Sequence, residues 1–225
     1  MKKTKNIYLS YILDEKTPSY GNRNQFNQIK KSDIKKGDVA NDTIIETTVH
    51  IGTHIDMPYH FFENGQTIED FSCEYFNFQN ILFIELKPKD LIIKDELIEK
   101  LEEVENKIDF ELLIVKTGIC NIRKSKEFWE SNFGFDPQIA FYLKEFFPNI
   151  RIFGFDSISV SSFQNRMLGR ETHKAFLDPN KPILLLEDMD LTKIDTNTKF
   201  INIIIAPLRV SKCDGLPCTV IGEIE

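Results

Sequence analysis

The sequence predicts a single α/β domain covering residues 1–225. Its length is ordinary for one domain with one sizeable core. It contains no repeat, low-complexity tract or Pro/Gly/Ser-rich linker that would mark a domain boundary. In the middle of the chain, runs rich in β-branched residues alternate with runs of helical spacing, which favours an α/β fold over a sandwich or a helical bundle.

Five apolar runs are predicted to be strands. They are rich in β-branched residues, which favour extended chain. Most are continuous rather than alternating, a pattern typical of strands buried within a sheet. The predicted strands are residues 42–51, 110–116, 150–155, 182–186 and 199–208.

Two segments between these runs are predicted to be helices. Residues 94–106 place apolar side chains three and four positions apart, as an amphipathic helix requires. Residues 136–147 begin with Asp136, a good N-cap, followed by Pro137 at the first helical position.

Charge and composition exclude several classes of function. The chain carries 28 Lys and Arg against 35 Asp and Glu, a net charge of -7, without a basic cluster for nucleic acid. No apolar run approaches the roughly 20 residues that span a bilayer. The four cysteines form no CxxC pair, and Cys213 and Cys218 match no common zinc spacing, so we expect free thiols. The N-terminus lacks an apolar signal region, so we expect a cytoplasmic protein.

The stretch HIGTHIDMPYHF, residues 50–61, holds three of the four histidines and one aspartate. Its glycine, its proline and its β-branched residues argue against a helix. In extended chain alternate side chains share a face, so four polar side chains would point to the same side: His50, His54, Asp56 and His60. Four residues of straight strand span about 13 Å, too far for two imidazoles to share an ion, so we expect a bend near Gly52.

Two imidazoles and a carboxylate form a ligand set that suits Zn²⁺, Mn²⁺ or Fe²⁺, and three protein ligands leave a coordination position open for catalysis. The alternative, histidines hydrogen-bonded to their neighbours, is the better interpretation for a lone histidine, but the clustering favours a metal. His60 follows Pro58, which turns the chain, so it is either a further ligand or a general acid/base.

The residues alone leave the other candidates open. His173, the fourth histidine, is either a ligand or a solvated or capping side chain. Glu187 ends the predicted strand 182–186 and would face a cleft, with Asp188 and Asp190 as alternatives. Asp156 follows another predicted strand and would either support a metal-bound histidine or cap the next turn.

The whole motif resembles the His-x-Gly-Thr-His-x-Asp-x-Pro-x-His signature of the cyclase-like metal-dependent hydrolase family, which includes bacterial kynurenine formamidases, isatin hydrolases and some polyketide cyclases. Three further segments support the resemblance: VKTG at 115–118, FGFDSISV at 153–160 and APLRVSKCDGLPCTV at 206–220. The resemblance implies a swivelling β/β/α domain, with a mixed sheet flanked by helices, that assembles as a homodimer or homotetramer.

The resemblance also implies roles for the site residues. One or two divalent ions, zinc or manganese, would be bound, with the first ion on His50, His54 and Asp56. Asp56 would bridge to a second ion completed by His173 and Glu187, and His60 would be the catalytic acid/base.

The reaction implied is hydrolysis of a small-molecule amide by water activated on the metal, with N-formylkynurenine of tryptophan catabolism as the expected substrate. A cyclase or a lactam or lactone hydrolase acting on another small aromatic or acidic compound is the alternative, as is a metal-binding relative without catalysis. Arg166 or Arg170 would pair with a substrate carboxylate, unless both are solvated loop arginines.

Three departures from the family pattern affect the substrate more than the reaction. Pro217-Cys218-Thr219 stands where the family often has Pro-x-Arg, so any role of that arginine is vacant or supplied elsewhere. Residues 17–26 resemble the family's Pro-rich substrate loop only loosely, and residues 161–171 match no formamidase segment.

Overall fold

The structure, a computed structural model, describes residues 3–225 as thirteen strands and four α-helices with several single 3₁₀ turns. The helices are α1 (Asp95–Glu102), α2 (Glu127–Glu130), α3 (Pro137–Phe146) and α4 (Arg166–Leu177). The strands are β1 (Lys5–Tyr8), β2 (Asn27–Ser32), β3 (Asp42–Glu46), β4 (His54–Asp56), β5 (Asn77–Phe78), β6 (Ile81–Glu85), β7 (Ile92–Ile93), β8 (Leu112–Lys116), β9 (Gly134–Phe135), β10 (Ile152–Phe155), β11 (Leu184–Glu187), β12 (Phe200–Pro207) and β13 (Gly215–Ile224).

Nine of these strands form one mixed sheet, which confirms the predicted fold class. Its order is β5-β12-β13-β4-β11-β10-β8-β6, with β1 also paired to β13. The strands β6, β8, β10 and β11 run parallel to one another, whereas β4 lies antiparallel between β11 and β13. The sheet therefore changes from parallel to antiparallel pairing at β4.

The parallel half of the sheet is the core of the protein. Every residue of β8, β10 and β11 is buried, as the continuous apolar runs predict. Helix α4 packs on this half through Phe176, whose ring stacks on Phe153 of β10 with centroids 5.2 Å apart. Burying each of these rings contributes on the order of 2–3 kcal/mol of stability.

The predicted helices form, with one difference in length. Asp136 caps α3 as expected, since its side chain accepts a hydrogen bond from the backbone N–H of Gln138 at 2.9 Å. Helix α1 ends at Glu102 instead of residue 106. Acidic side chains follow at this end, where the helix dipole disfavours negative charge. Within residues 3–225, no helix has the length and apolar character needed to cross a membrane.

The prediction of a buried strand over residues 42–51 is wrong. The strand β3 stops at Glu46 and is exposed along its whole length, and among residues 3–225 it pairs with β2 alone. The chain then runs through bends, and the strand that enters the central sheet is β4. β-branched residues favour extended chain in a solvated ribbon as well as in a core, so composition alone did not distinguish the two.

The last predicted strand is present but only half buried. In β12, Ile203 and Ile205 are buried while Ile204 between them is 43% exposed. This alternation is typical of an antiparallel strand with one face to solvent, and β12 is antiparallel to both of its neighbours.

Candidate metal centre and active site

The candidate site is built on β4, in the middle of the sheet. Register places His54 beside Glu187 of β11 on one side and beside Pro217 of β13 on the other. Asp56, two residues on and therefore on the same face, lies beside Gly215. Three adjacent strands thus fix the backbone under the predicted ligands.

A bend at Gly52 brings His50 to the same place, as predicted. Gly52 has φ of +59°, a left-handed conformation that favours glycine, and a Cβ there would lie 2.3 Å from Leu13 Cδ2. The bend leaves the His50 and His54 rings 5.3 Å apart, and His50 Nδ1 lies 2.9 Å from Asp56 Oδ1.

Two imidazoles have one nitrogen held by a backbone carbonyl and the other directed at carboxylates. His54 donates from Nδ1 to the Gly52 carbonyl at 2.8 Å, and its Nε2 lies 3.4 Å from both Asp56 Oδ1 and Glu187 Oε2. His173 donates from Nδ1 to the carbonyl one turn earlier in α4, also at 2.8 Å, and its Nε2 lies 3.4 Å from Asp56 Oδ2. Such outer hydrogen bonds set the tautomer and orientation of metal-binding histidines.

The other two histidines share a third carboxylate. His50 Nε2 lies 2.7 Å, and His60 Nδ1 2.9 Å, from the same oxygen, Oδ2 of Asp214. His60 ends a 3₁₀ turn, Pro58–His60, so the chain turns before it as predicted. Burial disfavours a charged His50, but the carboxylates of Asp56 and Asp214 outweigh burial and raise the pKa of His50 to about 10.

The acids at the centre are almost inaccessible: Asp56 is 1% exposed and Glu187 is 3% exposed. Burial opposes ionisation of Asp56, yet attraction to His50 and hydrogen bonds from the imidazoles hold its pKa well below the usual range. Burial and the nearby charge of Asp56 raise the pKa of Glu187.

This donor set fits a divalent cation. Ligating atoms of His50, His54 and Asp56 lie within 4.8 Å of one another, and so do those of Asp56, His60 and His173. Two buried carboxylates side by side are costly unless positive charge lies between them, and imidazole with carboxylate is a set that zinc and manganese accept.

A cavity of about 340 Å³ opens above these residues. Both segments that sequence analysis associated with the substrate line it, residues 17–26 through Tyr20 and residues 161–171 through Arg166 and Arg170. The guanidinium carbon of Arg166 lies 4.1 Å from the ring centroid of Phe163, a cation–π contact that favours this position at the wall.

The three acids considered at the end of β11, Glu187, Asp188 and Asp190, lie in different surroundings. Asp188 forms a buried two-point ion pair with Arg123 at 2.6 and 2.8 Å, and Asp190 caps its own turn through the hydroxyl of Thr192. Of these acids, only Glu187 lines the cavity.

Asp156 caps a turn instead of supporting a histidine. Its carboxylate accepts the backbone N–H groups of Thr117 and Gly118, both at 2.8 Å, and its contacts in the described chain include no histidine. The carboxyl group thus ties β10 to the turn that follows β8.

Sequence analysis missed Asp214. It lies in the closing segment 206–220, in which sequence analysis considered only the departure from the family pattern at Thr219. Thr219 itself is exposed on β13. The available signal was the Asp-Gly pair at the start of a strand, a turn sequence that places a carboxylate at the sheet edge. Cys213 and Cys218 are free thiols, as expected.

Glu69 anchors the loop that carries Asp214. Its carboxylate accepts from the Ser211 hydroxyl at 2.5 Å and from the Lys212 backbone N–H at 2.9 Å, and these hydrogen bonds lower the pKa of Glu69 to about 2. The anchor is therefore complete above the ordinary glutamate pKa of about 4.5 and is lost as the pH falls through about 2.

We expect the carboxyl carbon of Glu69 to titrate near pH 2 in a ¹³C NMR experiment. Ser211→Ala removes the largest stabilising hydrogen bond and should move the titration back toward 4.5. A wild-type midpoint in the ordinary range would show that the loop is not anchored in this way.

Comparison with known proteins identifies the family of this chain. The family model described as "Putative cyclase" matches residues 7–162, more than half of the chain. The chain belongs to the cyclase family.

Named relatives of this cyclase-family protein include two kynurenine formamidases. The one from Geobacillus thermodenitrificans (strain NG80-2) is 26% identical over 220 residues, covering 94% of this chain and 93% of the relative. The one from Bacillus thuringiensis subsp. konkukian (strain 97-27) is 30% identical over 172 residues, covering 76% and 74%. Isatin hydrolase A from Labrenzia aggregata has a similar fold, with a TM-score of 0.78 at 20% identity over 98% of this chain and 94% of that one.

Proposed function

We propose that this cyclase-family protein is a metal-dependent amide hydrolase, an arylformamidase that acts on N-formylkynurenine. One observation carries the proposal: imidazoles with fixed orientations converge on two buried carboxylates at the floor of an open cavity, with His60 beside them. A structural metal site would be closed, whereas this one is reached from the cavity, as catalysis requires.

His50, His54 and Asp56 would hold the first ion, and His173 and Glu187 would complete a second site that shares Asp56. When bound, zinc or manganese would polarise the scissile carbonyl and lower the pKa of water, so that hydroxide is available to attack the carbonyl near neutral pH. The protein keeps these donors in place by hydrogen bonds. Glu187, for example, accepts the Val160 backbone N–H at 2.7 Å through the oxygen Oε1.

His60 would accept the proton released by the attacking water and pass it to the departing nitrogen. Its Nδ1 is occupied by Asp214, so Nε2 is the nitrogen that can exchange a proton with a molecule in the cavity. Amide hydrolysis requires a proton on the departing nitrogen, because an amine anion is a very poor leaving group. An imidazole, which can both accept and donate a proton through the same nitrogen, suits this transfer.

The cavity wall suits an aromatic acid. Three arginines line it, Arg23, Arg166 and Arg170, and so do the rings of Tyr20 and Phe61. Guanidinium groups pair with carboxylates through two parallel hydrogen bonds, and the aromatic side chains offer apolar surface for a substrate ring. The two kynurenine formamidase relatives support this choice among the amides of the family.

The deciding experiment is hydrolysis of N-formylkynurenine by protein loaded with Zn²⁺ or Mn²⁺, with a chelator-treated control and isatin as a parallel substrate. Turnover of N-formylkynurenine that the chelator abolishes would establish the arylformamidase. Turnover of isatin alone would replace it with a lactam hydrolase, and no turnover of either substrate by metal-loaded protein would refute both assignments.

We expect Arg170→Met and Arg166→Met each to raise the KM for N-formylkynurenine by about 10–100-fold with a smaller change in kcat, since each removes a charged hydrogen-bond donor worth roughly 1.5–3 kcal/mol. Arg209→Met, the same change at an exposed position away from the cavity lining, is the matched control. Unchanged KM in both cavity variants would show that the substrate carboxylate is bound elsewhere.

A further inference from the structure

Asp214 occupies an unusual position between two histidines. A single oxygen, Oδ2, lies within hydrogen-bond distance of His50 Nε2 at 2.7 Å and of His60 Nδ1 at 2.9 Å. The two rings lie close together, with centroids 4.1 Å apart and planes inclined by 37°. One carboxylate oxygen therefore determines the orientation of both imidazoles at once.

The backbone around Asp214 is arranged for this contact. The Asp214 carbonyl accepts the Met57 backbone N–H at 3.0 Å, which ties it to the end of β4, and Glu69 anchors the preceding residues. The next residue, Gly215, lies under the His50 ring, and a Cβ there would approach His50 Cε1 to 2.4 Å. Any larger residue at 215 would displace the ring from Asp214.

We propose that Asp214 is a positioning residue of the active site, whose carboxylate holds His60 in the Nδ1–H tautomer and so directs the Nε2 lone pair to the substrate. The same oxygen fixes the His50 ring in the orientation in which Nδ1 faces Asp56. The catalytic part of this inference depends on the proposed hydrolase function, whereas the tautomer does not.

The chemical reason is that a neutral imidazole has one proton and two nitrogens, and a hydrogen-bond acceptor decides which nitrogen carries it. A carboxylate accepts but does not donate, so the nitrogen facing Asp214 must be the protonated one. Without the carboxylate, no acceptor would hold the proton on Nδ1, and only part of the population would present Nε2 as a base. Carboxylate–imidazole pairs of this kind typically affect activity by about 10–100-fold.

The test is ¹⁵N NMR of selectively labelled histidine in the metal-free and zinc-loaded protein, recorded over a series of pH values so that the neutral form of His60 is observed directly. The chain has only four histidines, so the spectrum is simple, and a His60→Gln variant assigns the His60 signals. In wild type we expect the His60 proton on Nδ1. In Asp214→Ala we expect a shift toward the Nε2–H tautomer or rapid averaging of the two.

Kinetics provides the second readout. We expect Asp214→Ala to lower kcat for N-formylkynurenine by about 10–100-fold while KM changes little, because substrate contacts are kept and proton transfer is impaired. Ser211→Ala is the matched control: it removes a contact of the same loop with Glu69, but no contact with His50 or His60, and should leave the His60 tautomer unchanged.

An unchanged His60 tautomer in folded Asp214→Ala would overturn the proposal, and an equal shift in Ser211→Ala would reduce it to loop stability. If Asp214→Ala does not fold, Asp214→Asn keeps the side-chain size, loses the charge, and should show a smaller change in the same direction. A wild type inactive on N-formylkynurenine would refute the proposed function alone, since the NMR result decides the role of Asp214 separately.

Discussion

Asp56→Ala is expected to abolish metal binding and with it all hydrolytic activity. Asp56 is the only carboxylate within reach of three imidazoles in the described chain, at 2.9 Å from His50 and 3.4 Å from both His54 and His173. Removing it deletes the shared ligand of both candidate ion sites. Activity should fall by at least about 10³-fold, corresponding to roughly 4 kcal/mol of lost transition-state stabilisation.

Metal content, measured by inductively coupled plasma mass spectrometry after dialysis, is the direct readout for this variant. Asp90→Ala, a change of the same chemistry at an exposed position, is the control and should bind metal as wild type does. Metal content equal to wild type in Asp56→Ala would remove Asp56 from the ligand set. The central role of β4 would then have to be reconsidered.

His60→Ala should give the opposite pattern, with metal retained and turnover largely lost. A general acid/base typically contributes about 10²–10⁴-fold, so kcat should fall by that factor while the other histidines still bind the ion. Since the space vacated by the ring faces the cavity, added free imidazole should restore part of the activity.

Two outcomes would contradict this assignment. Full activity in His60→Ala would show that another group moves the proton. Loss of metal together with activity would make His60 a ligand, the alternative that the sequence left open. The ligating atoms of His60, Asp56 and His173 lie within 4.8 Å of one another, so this alternative is sterically feasible. His60→Gln, which keeps a polar side chain of similar length, distinguishes loss of the proton carrier from collapse of the cavity wall.

The centre of the fold was predictable because its signals are local. Continuous apolar runs identify β8, β10 and β11 as buried strands, and the N-cap Asp136 marks the start of α3. The ribbon β2–β3 was not predictable in the same way. Its β-branched residues favour extended chain, but whether a strand enters a sheet depends on partners far away in the sequence.

In the candidate site too, residues close together in the sequence were predictable, whereas residues brought together only by the fold were not. His50, His54 and Asp56 lie within seven residues, so their spacing alone indicated a shared function. Asp214 lies more than 150 residues from His60, and only the pairing of β13 with β4 brings them together. For Asp156, the residues permitted two roles, and contacts with the neighbouring turn decided in favour of the cap.

The division of the site between the core sheet and peripheral segments has a consequence for how such proteins diversify. The candidate ligands on β4 and β11 lie within the buried sheet, whereas residues 17–26 and 161–171 contribute to the cavity wall at the periphery. Insertions and substitutions in these two segments can therefore alter which molecule enters while the reactive centre stays the same. We expect chimaeras that exchange only these segments with another family member to fold normally and to acquire the donor's substrate preference.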